Sequence, residues 1–171
     1  MNYITHYPSP VGILTLCSDG EALTGLWIEG QKYFKDTVRG PALEDETPDV
    51  LAQAADWLDR YCAGGKPAPD ELLLRPAGSD FRQAVWKILC TIPYGGVMTY
   101  GQIARMIAQQ IGRETMSAQA VGGAVGHNPV SIIIPCHRVV GSSGSLTGYA
   151  AGVDIKRRLL EHEGLDMRRF H

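Results

Sequence analysis

The chain has 171 residues, 44% of them apolar, with 16 Lys/Arg against 18 Asp/Glu for a net charge of −2. That composition is ordinary for a globular protein, allows one domain or two small ones, and neither requires nor forbids a nucleic-acid partner. No apolar run approaches the roughly 20 residues that span a bilayer, and Met1-Asn-Tyr-Ile-Thr-His6 lacks the basic start and apolar core of a signal peptide, so a cytoplasmic protein without membrane association is expected.

In the N-terminal third, Ile13–Cys17 and Leu23–Ile28 read as strands joined by the turn Ser18-Asp-Gly20, an antiparallel hairpin. Thr47-Pro48 supplies a capping residue and a first-turn proline, and Val50, Leu51, Ala54, Trp57, Leu58 and Tyr61 share one helical face, predicting a helix from about 48 to 62 that stops at Gly64-Gly65. Leu72–Leu74 reads as one more strand, and Arg75-Pro-Ala-Gly-Ser79 as a linker between domains 1–78 and 79–171.

Beyond the linker, Phe81, Val85, Trp86 and Leu89 mark a second helix ended by Pro93-Tyr-Gly-Gly96. Thr99-Tyr-Gly-Gln102 has the form of a capping box and leads into Ile103, Met106, Ile107 and Ile111 on one face, stopping at Gly112. Ser117–Gly126 follows, built almost wholly from small residues. Two short helices with a compact connection fit a helix-turn-helix, though on pattern alone an ordinary packed pair is the better reading. Gly122, Gly123 and Gly126 each cost a helix about 1 kcal/mol relative to Ala, which calls for a close backbone approach, either by a neighbouring helix or by DNA.

Ile132-Ile-Ile134 predicts a short buried strand that Pro135 ends, presenting Cys136 at its exit with His137 alongside. A thiol is a strong nucleophile once an imidazole takes its proton or lowers its pKa. A cysteine beside a strand is also an ordinary small core residue. The four cysteines, Cys17, Cys62, Cys90 and Cys136, include no Cys-x-x-Cys, so free thiols are expected instead of a zinc ribbon or a redox pair. Charge is unevenly spread. Residues 1–78 hold six Lys/Arg against twelve Asp/Glu, residues 79–171 ten against six, which makes the second half the better face for phosphate.

Asn128-Pro129, Ile134-Pro-Cys-His-Arg-Val-Val140, Gly148-Tyr149 and His162-Glu-Gly164 resemble the O6-alkylguanine-DNA alkyltransferase (methylated-DNA–protein-cysteine methyltransferase) family, closely over residues 79–165 and more loosely before them. The resemblance implies an α/β fold: a small N-terminal structural α/β domain with an antiparallel sheet, then a mostly helical, DNA-binding and alkyl-accepting domain with a helix-turn-helix. It implies irreversible, stoichiometric transfer of an alkyl group from O6-alkylguanine in double-stranded DNA to Cys136 after base flipping, with no cofactor, by a monomer. The resemblance also extends the substrate class to O4-alkylthymine. Some relatives hold a zinc in the first domain, but only His6 and Cys17 lie in the corresponding region, so no metal is expected.

By the same resemblance His137 is the base, acting through a water, Glu163 holds its imidazole, and Asn128 braces the turn. Tyr100 drives the rotation of the nucleotide and contacts the base. Tyr149 and Val139 line the pocket, the Ala150 backbone N–H donates to O6, Ala151 sits on the pocket rim, and Arg138 orders the loop. Gln119, Ala120, Gly122 and Gly123 face the DNA minor groove. Gln119 stands where the family commonly has an arginine finger, and the amide keeps hydrogen bonding while losing charge and stacking area. Two other readings compete: a thiol hydrolase with a Cys-His-Glu triad, and a non-catalytic binder of damaged DNA or helix-turn-helix regulator, against which Cys136 argues.

Overall fold

A computed structural model describes all residues, 1–171. The chain divides into two compact units, 1–77 with 129–133, and 78–128 with 134–171. The excursion of 129–133 into the first unit departs from the single continuous segment 79–171 read from the sequence.

The first unit is a four-stranded sheet in the order β3-β2-β1-β4, from β1 (Asn2–Ser9), β2 (Gly12–Ser18), β3 (Leu23–Ile28) and β4 (Ala42–Glu44). β1, β2 and β3 form an antiparallel meander, and β4 lies parallel to β1. Helix α1 (Asp49–Cys62) buries the apolar face read from its spacing. It packs on β1, β2 and β3. Trp27, Ile4 and Cys17 form a separate cluster with Phe34 and Val38. With apolar partners on both sides, β2 from Leu14 and β3 are buried almost continuously, without the alternation of a one-faced sheet.

Three details of the sequence reading change. Thr47 does not cap α1: its hydroxyl and backbone N–H both go to Asp45, and Pro48 occupies the cap position. Leu72–Leu74 forms only an isolated parallel bridge, Leu23 to Leu74, after a 3-10 turn at Pro69–Glu71. The expected strand Ile132–Ile134 is also absent. Val130 bridges to Leu26, Ile133 N–H donates back to Ser131 at 2.8 Å, and Ile132 has φ +71°. All three isoleucines are buried, which is what their composition reports. A three-residue apolar run has too little periodicity to separate a strand from a buried turn.

In the second unit, Ser79 accepts from Arg82 N–H to cap α2 (Asp80–Leu89). The Thr99–Gln102 capping box opens α3 (Tyr100–Ile111), which ends on Gly112 at φ +72°, and Ser117 caps α4 (Ala118–Gly126). These helices pack on one another around Val85, Trp86, Leu89, Ile103, Ile107, Val121 and Val125, and Trp86 Nε1 donates to the Ala124 carbonyl at 2.9 Å. Ile111 is exposed, so the apolar face read for α3 fades in its last turn. β5 (Met98–Thr99) pairs in parallel with β6 (Val139–Val140), and α5 (Val153–His162) precedes a tail whose Phe170 packs with Val140, Leu146 and Leu160.

The α4 glycines do not serve helix packing. A Cβ on Gly122 would lie 3.9 Å from the Tyr100 ring, an ordinary contact, and a Cβ on Gly123 or Gly126 would meet nothing within 4 Å. Of the two explanations for their cost, close approach by a neighbouring helix fails at Gly123 and Gly126.

Candidate active site

Cys136 is delivered by backbone geometry set by Pro135. The proline has φ −81° and ψ 65°, and Cys136 N–H donates to the Ile134 carbonyl at 2.8 Å, an inverse γ-turn centred on Pro135. A single 3-10 turn, Cys136–Arg138, then leads into β6, so Cys136, His137 and Arg138 project in different directions from adjacent positions. Asn128 Nδ2 donates to the Ile134 carbonyl at 2.8 Å, tying the end of α4 to this turn. The Asn128 side chain also reaches Cys136 itself.

His137 is fully buried, and its Nε2 lies 2.6 Å from Glu163 Oε2. A carboxylate can only accept, so Nε2 carries the proton and Nδ1 is left with its lone pair. Nδ1 is buried without a protein partner. Glu163 is gripped from several sides: Arg138 donates Nε to Oε1 at 2.8 Å and Nη2 to Oε2 at 3.1 Å, and Gly95 N–H donates to Oε1 at 3.1 Å. Arg138 Nη1 is taken by the Ile92 carbonyl at 2.8 Å.

Burial alone would push the Glu163 carboxyl up, but the hydrogen bonds from His137 and Arg138 and their charges hold it well below the usual range. Burial pushes the His137 imidazole down, against the pull of Glu163. Burial likewise raises the Cys136 thiol, opposed by Asn128, the Lys156 charge and backbone N–H groups. The resting site therefore holds a neutral thiol beside a neutral imidazole, backed by a glutamate–arginine ion pair.

On the other side of Cys136 stand Tyr149, Tyr100 and Lys156. The buried Tyr149 hydroxyl has no hydrogen-bond partner and lies close enough to the sulfur for the two to interact. Tyr100, the first residue of α3, directs its hydroxyl to the Thr147 carbonyl at 3.4 Å. A cleft of about 450 Å³ opens between Tyr100, Ala118, Gln119, Gly122, Thr147 and Gly148. Gly148, at φ +95°, leaves room for the Tyr100 hydroxyl beside this cleft, since a Cβ there would lie 3.1 Å from it. Ala150 and Ala151 are half-exposed, and Val139 is fully buried in β6. Gln119 and Ala120 are exposed in the first turn of α4.

The structure thus brings together Cys136, His137, Glu163, Asn128, Tyr100 and Tyr149, and places Gln119 and Gly122 on the cleft near Tyr100. Arg138, expected from the resemblance to order the loop, does so by clamping Glu163, a partner that no local pattern announces. One residue escapes the sequence reading. Lys156 is completely buried, and its spacing did give a signal: it lies three and four residues before Leu159 and Leu160 on the apolar face of α5. No group of three or more His, Cys, Asp or Glu is placed to hold a metal ion.

Comparison with known proteins extends over nearly the whole chain. Residues 2–74 match the family model described as the 6-O-methylguanine DNA methyltransferase ribonuclease-like domain, and residues 80–165 the model of that family's DNA binding domain. A Mycobacterium bovis protein named methylated-DNA–protein-cysteine methyltransferase is 49% identical over 158 residues, 91% of this chain and 88% of the relative. A Haemophilus influenzae protein of the same name is 41% identical over 94% of this chain and 86% of its own. The crystal structure of Mycobacterium tuberculosis OGT in complex with DNA matches with a TM-score of 0.80 at 43% identity, covering 98% of this chain and 94% of that one.

Proposed function

This chain belongs to the 6-O-methylguanine DNA methyltransferase family, and from that membership we propose a residue-level account of how it binds DNA and carries an alkyl group from O6-alkylguanine to Cys136. The activity is direct-reversal DNA repair by alkyl transfer to a cysteine of the protein. The first unit is structural; the second binds DNA and accepts the alkyl group. The protein works as a monomer in the cytoplasm, and no helix is long and apolar enough to cross a membrane.

A lesion at O6 is stacked inside the duplex, so the nucleotide has to be extruded at a cost of a few kcal/mol. The bare face of α4 at Gly123 and Gly126 suits backbone approach to a minor groove, whose degenerate pattern lets one protein serve many sequences. Tyr100 at the head of α3 turns the nucleotide into the cleft it shares with Gln119 and Gly148, and Gln119 takes the vacated place in the stack. Inside, Tyr149 and Val139 line the pocket and the Ala150 N–H donates to O6.

The chemistry is a displacement at carbon. The S–H bond of Cys136 breaks and its proton passes to His137 Nδ1, directly or through one water. The sulfur lone pair forms the S–C bond, the C–O6 bond breaks, and the electron pair leaves on guanine, which takes up the proton that His137 received, returned through water. Glu163 meets the new imidazolium with a negative charge already in place, so the proton transfer needs little reorganisation. The thioether formed has no leaving group that water could displace, so each molecule acts once.

The observation that carries this reading is the buried Cys136–His137–Glu163 arrangement, with Nε2 of the imidazole fixed on the carboxylate and Nδ1 open. Titrating protein against a molar excess of O6-methylguanine duplex tests it: repaired guanine should stop at one equivalent of protein. Continued turnover would assign the site to hydrolysis or another multiple-turnover reaction.

A further inference from the structure

Lys156 is the unexplained charge of the second unit. Its side chain has no exposure at all, and its Nζ has no hydrogen-bond partner. The nitrogen lies 5.9 Å from the ring centroids of both Tyr100 and Tyr149, within cation–π range of each. The ionisable groups around it are those two tyrosines, from α3 and from the loop before α5, with Cys136 and His137 from the 3-10 turn. Glu163, the nearest carboxylate of the cluster, is already engaged by Arg138 and His137. An ammonium held this way has given up hydration without receiving an anion, which is costly unless a negative charge appears beside it.

A negative charge does appear there during the reaction. We propose, building on the reading of Cys136 as alkyl acceptor, that Lys156 is a positioning residue whose buried ammonium, held between the Tyr100 and Tyr149 rings, is the counter-ion of the Cys136 thiolate. The proton transfer from Cys136 to His137 creates two charges in a dry site. The imidazolium arises on Glu163 and the thiolate arises facing Lys156, so neither is born unpaired. The tyrosine rings hold the cation without a hydrogen bond or an anion, leaving its charge available to the sulfur.

Burial lowers the Lys156 pKa and the Cys136 charge offsets part of that fall, leaving it at about 8. The cation therefore persists at neutral pH and is held more strongly once the thiolate forms. Transfer of the alkyl group removes the anion for good and leaves the ammonium alone.

The test compares wild type with Lys156→Met, which keeps the length of the stem, and with Lys156→Arg, which keeps the charge. The rate of Cys136 alkylation by iodoacetamide is followed against pH in the absence of DNA, read on the Cys136 peptide by mass spectrometry. Lys156→Met should move the midpoint upward by about one pH unit or more, the low end of the effect of an adjacent opposite charge. Lys156→Arg should bring it back toward wild type. Transfer from O6-methylguanine DNA at neutral pH should fall about tenfold or more in Lys156→Met, as one pH unit in thiolate formation requires.

Unchanged midpoints in Lys156→Met overturn the proposal. A second measurement uses wild type alone and is unaffected by a variant that does not fold: the carbon-13 shift of the Lys156 side chain should change at the pH midpoint of the Cys136 iodoacetamide profile, and that change should vanish once Cys136 is methylated. A Lys156 shift with no response at that midpoint is equally fatal. A wild-type protein that takes no methyl group from DNA overturns the alkyl-acceptor reading instead, while the iodoacetamide profile still decides the role of Lys156.

Discussion

Two regions of the second unit, separated only by the His137 ring, are built on opposite terms. On the Glu163 side each carboxylate oxygen receives donors from the side chains and backbone around it. On the Cys136 side His137 Nδ1, the Tyr149 hydroxyl and the Lys156 ammonium are all buried without a hydrogen-bond partner, and the neighbouring helix presents glycines over open space. The first region is complete within the chain. The second keeps its polar groups uncommitted, at a cost in stability, for a thiolate, a flipped base and a phosphate backbone that are supplied only during the reaction.

Mutations should separate the two sides by what they damage. The largest effect is expected at the shared ring: His137→Phe removes the base, and the transfer rate should fall by about 10²- to 10⁴-fold in single-turnover assays. A rate within a few-fold of wild type would show that another group takes the thiol proton. Next comes Glu163→Gln, which leaves Arg138 buried without its anion. We expect about 3–5 kcal/mol of lost stability in denaturant titration together with slower transfer.

The same carboxylate sets an acid limit. Its folded pKa is depressed, so its contribution is complete above the unfolded value of about 4.3 and is lost as pH falls below it. Denaturation midpoints should drop steeply below about pH 4.3 in wild type and more gently in Glu163→Gln.

On the open side the signs reverse. Gly123→Ala adds a methyl group that meets nothing in the free protein. It should stabilise the fold by up to about 1 kcal/mol while weakening affinity for duplex DNA measured by fluorescence anisotropy. Equal or tighter DNA binding would remove α4 from the interface. The smallest change is expected from Gln119→Arg, whose planar cation can stack where the amide cannot. Repair of duplex DNA should accelerate by about 2- to 5-fold, the equivalent of ~0.5–1 kcal/mol of exposed cation–π stacking.

Much of this contrast is legible in the sequence because local rules were obeyed. The capping box at Thr99, the apolar face of α1 and the β2–β3 hairpin all follow from spacing and turn chemistry. The Ile132–Ile134 segment defeats the same rules. Its composition reports burial correctly, but its turn, with Ile132 in the left-handed region, is imposed by the pairing of Val130 with β3 and has no local signal. Arg138 on Glu163 and Lys156 between two tyrosines are also long-range pairings. Only the family resemblance, through Pro135-Cys-His-Arg138 and His162-Glu163-Gly164, could place the acceptor and its triad before a structure; it gave Arg138 the ordering of the loop without naming its partner and left Lys156 unassigned.

One measurement bears most directly on the central claim, that Cys136 permanently takes the alkyl group. Wild-type protein and Cys136→Ser are each incubated with O6-methylguanine duplex, digested and analysed by peptide mass spectrometry. The account predicts a single methyl group on the Cys136 peptide of wild type, with matching loss of the lesion, and an unmodified peptide and persistent lesion in Cys136→Ser. Loss of the lesion with an unmethylated Cys136 peptide, or repair by Cys136→Ser, would contradict it.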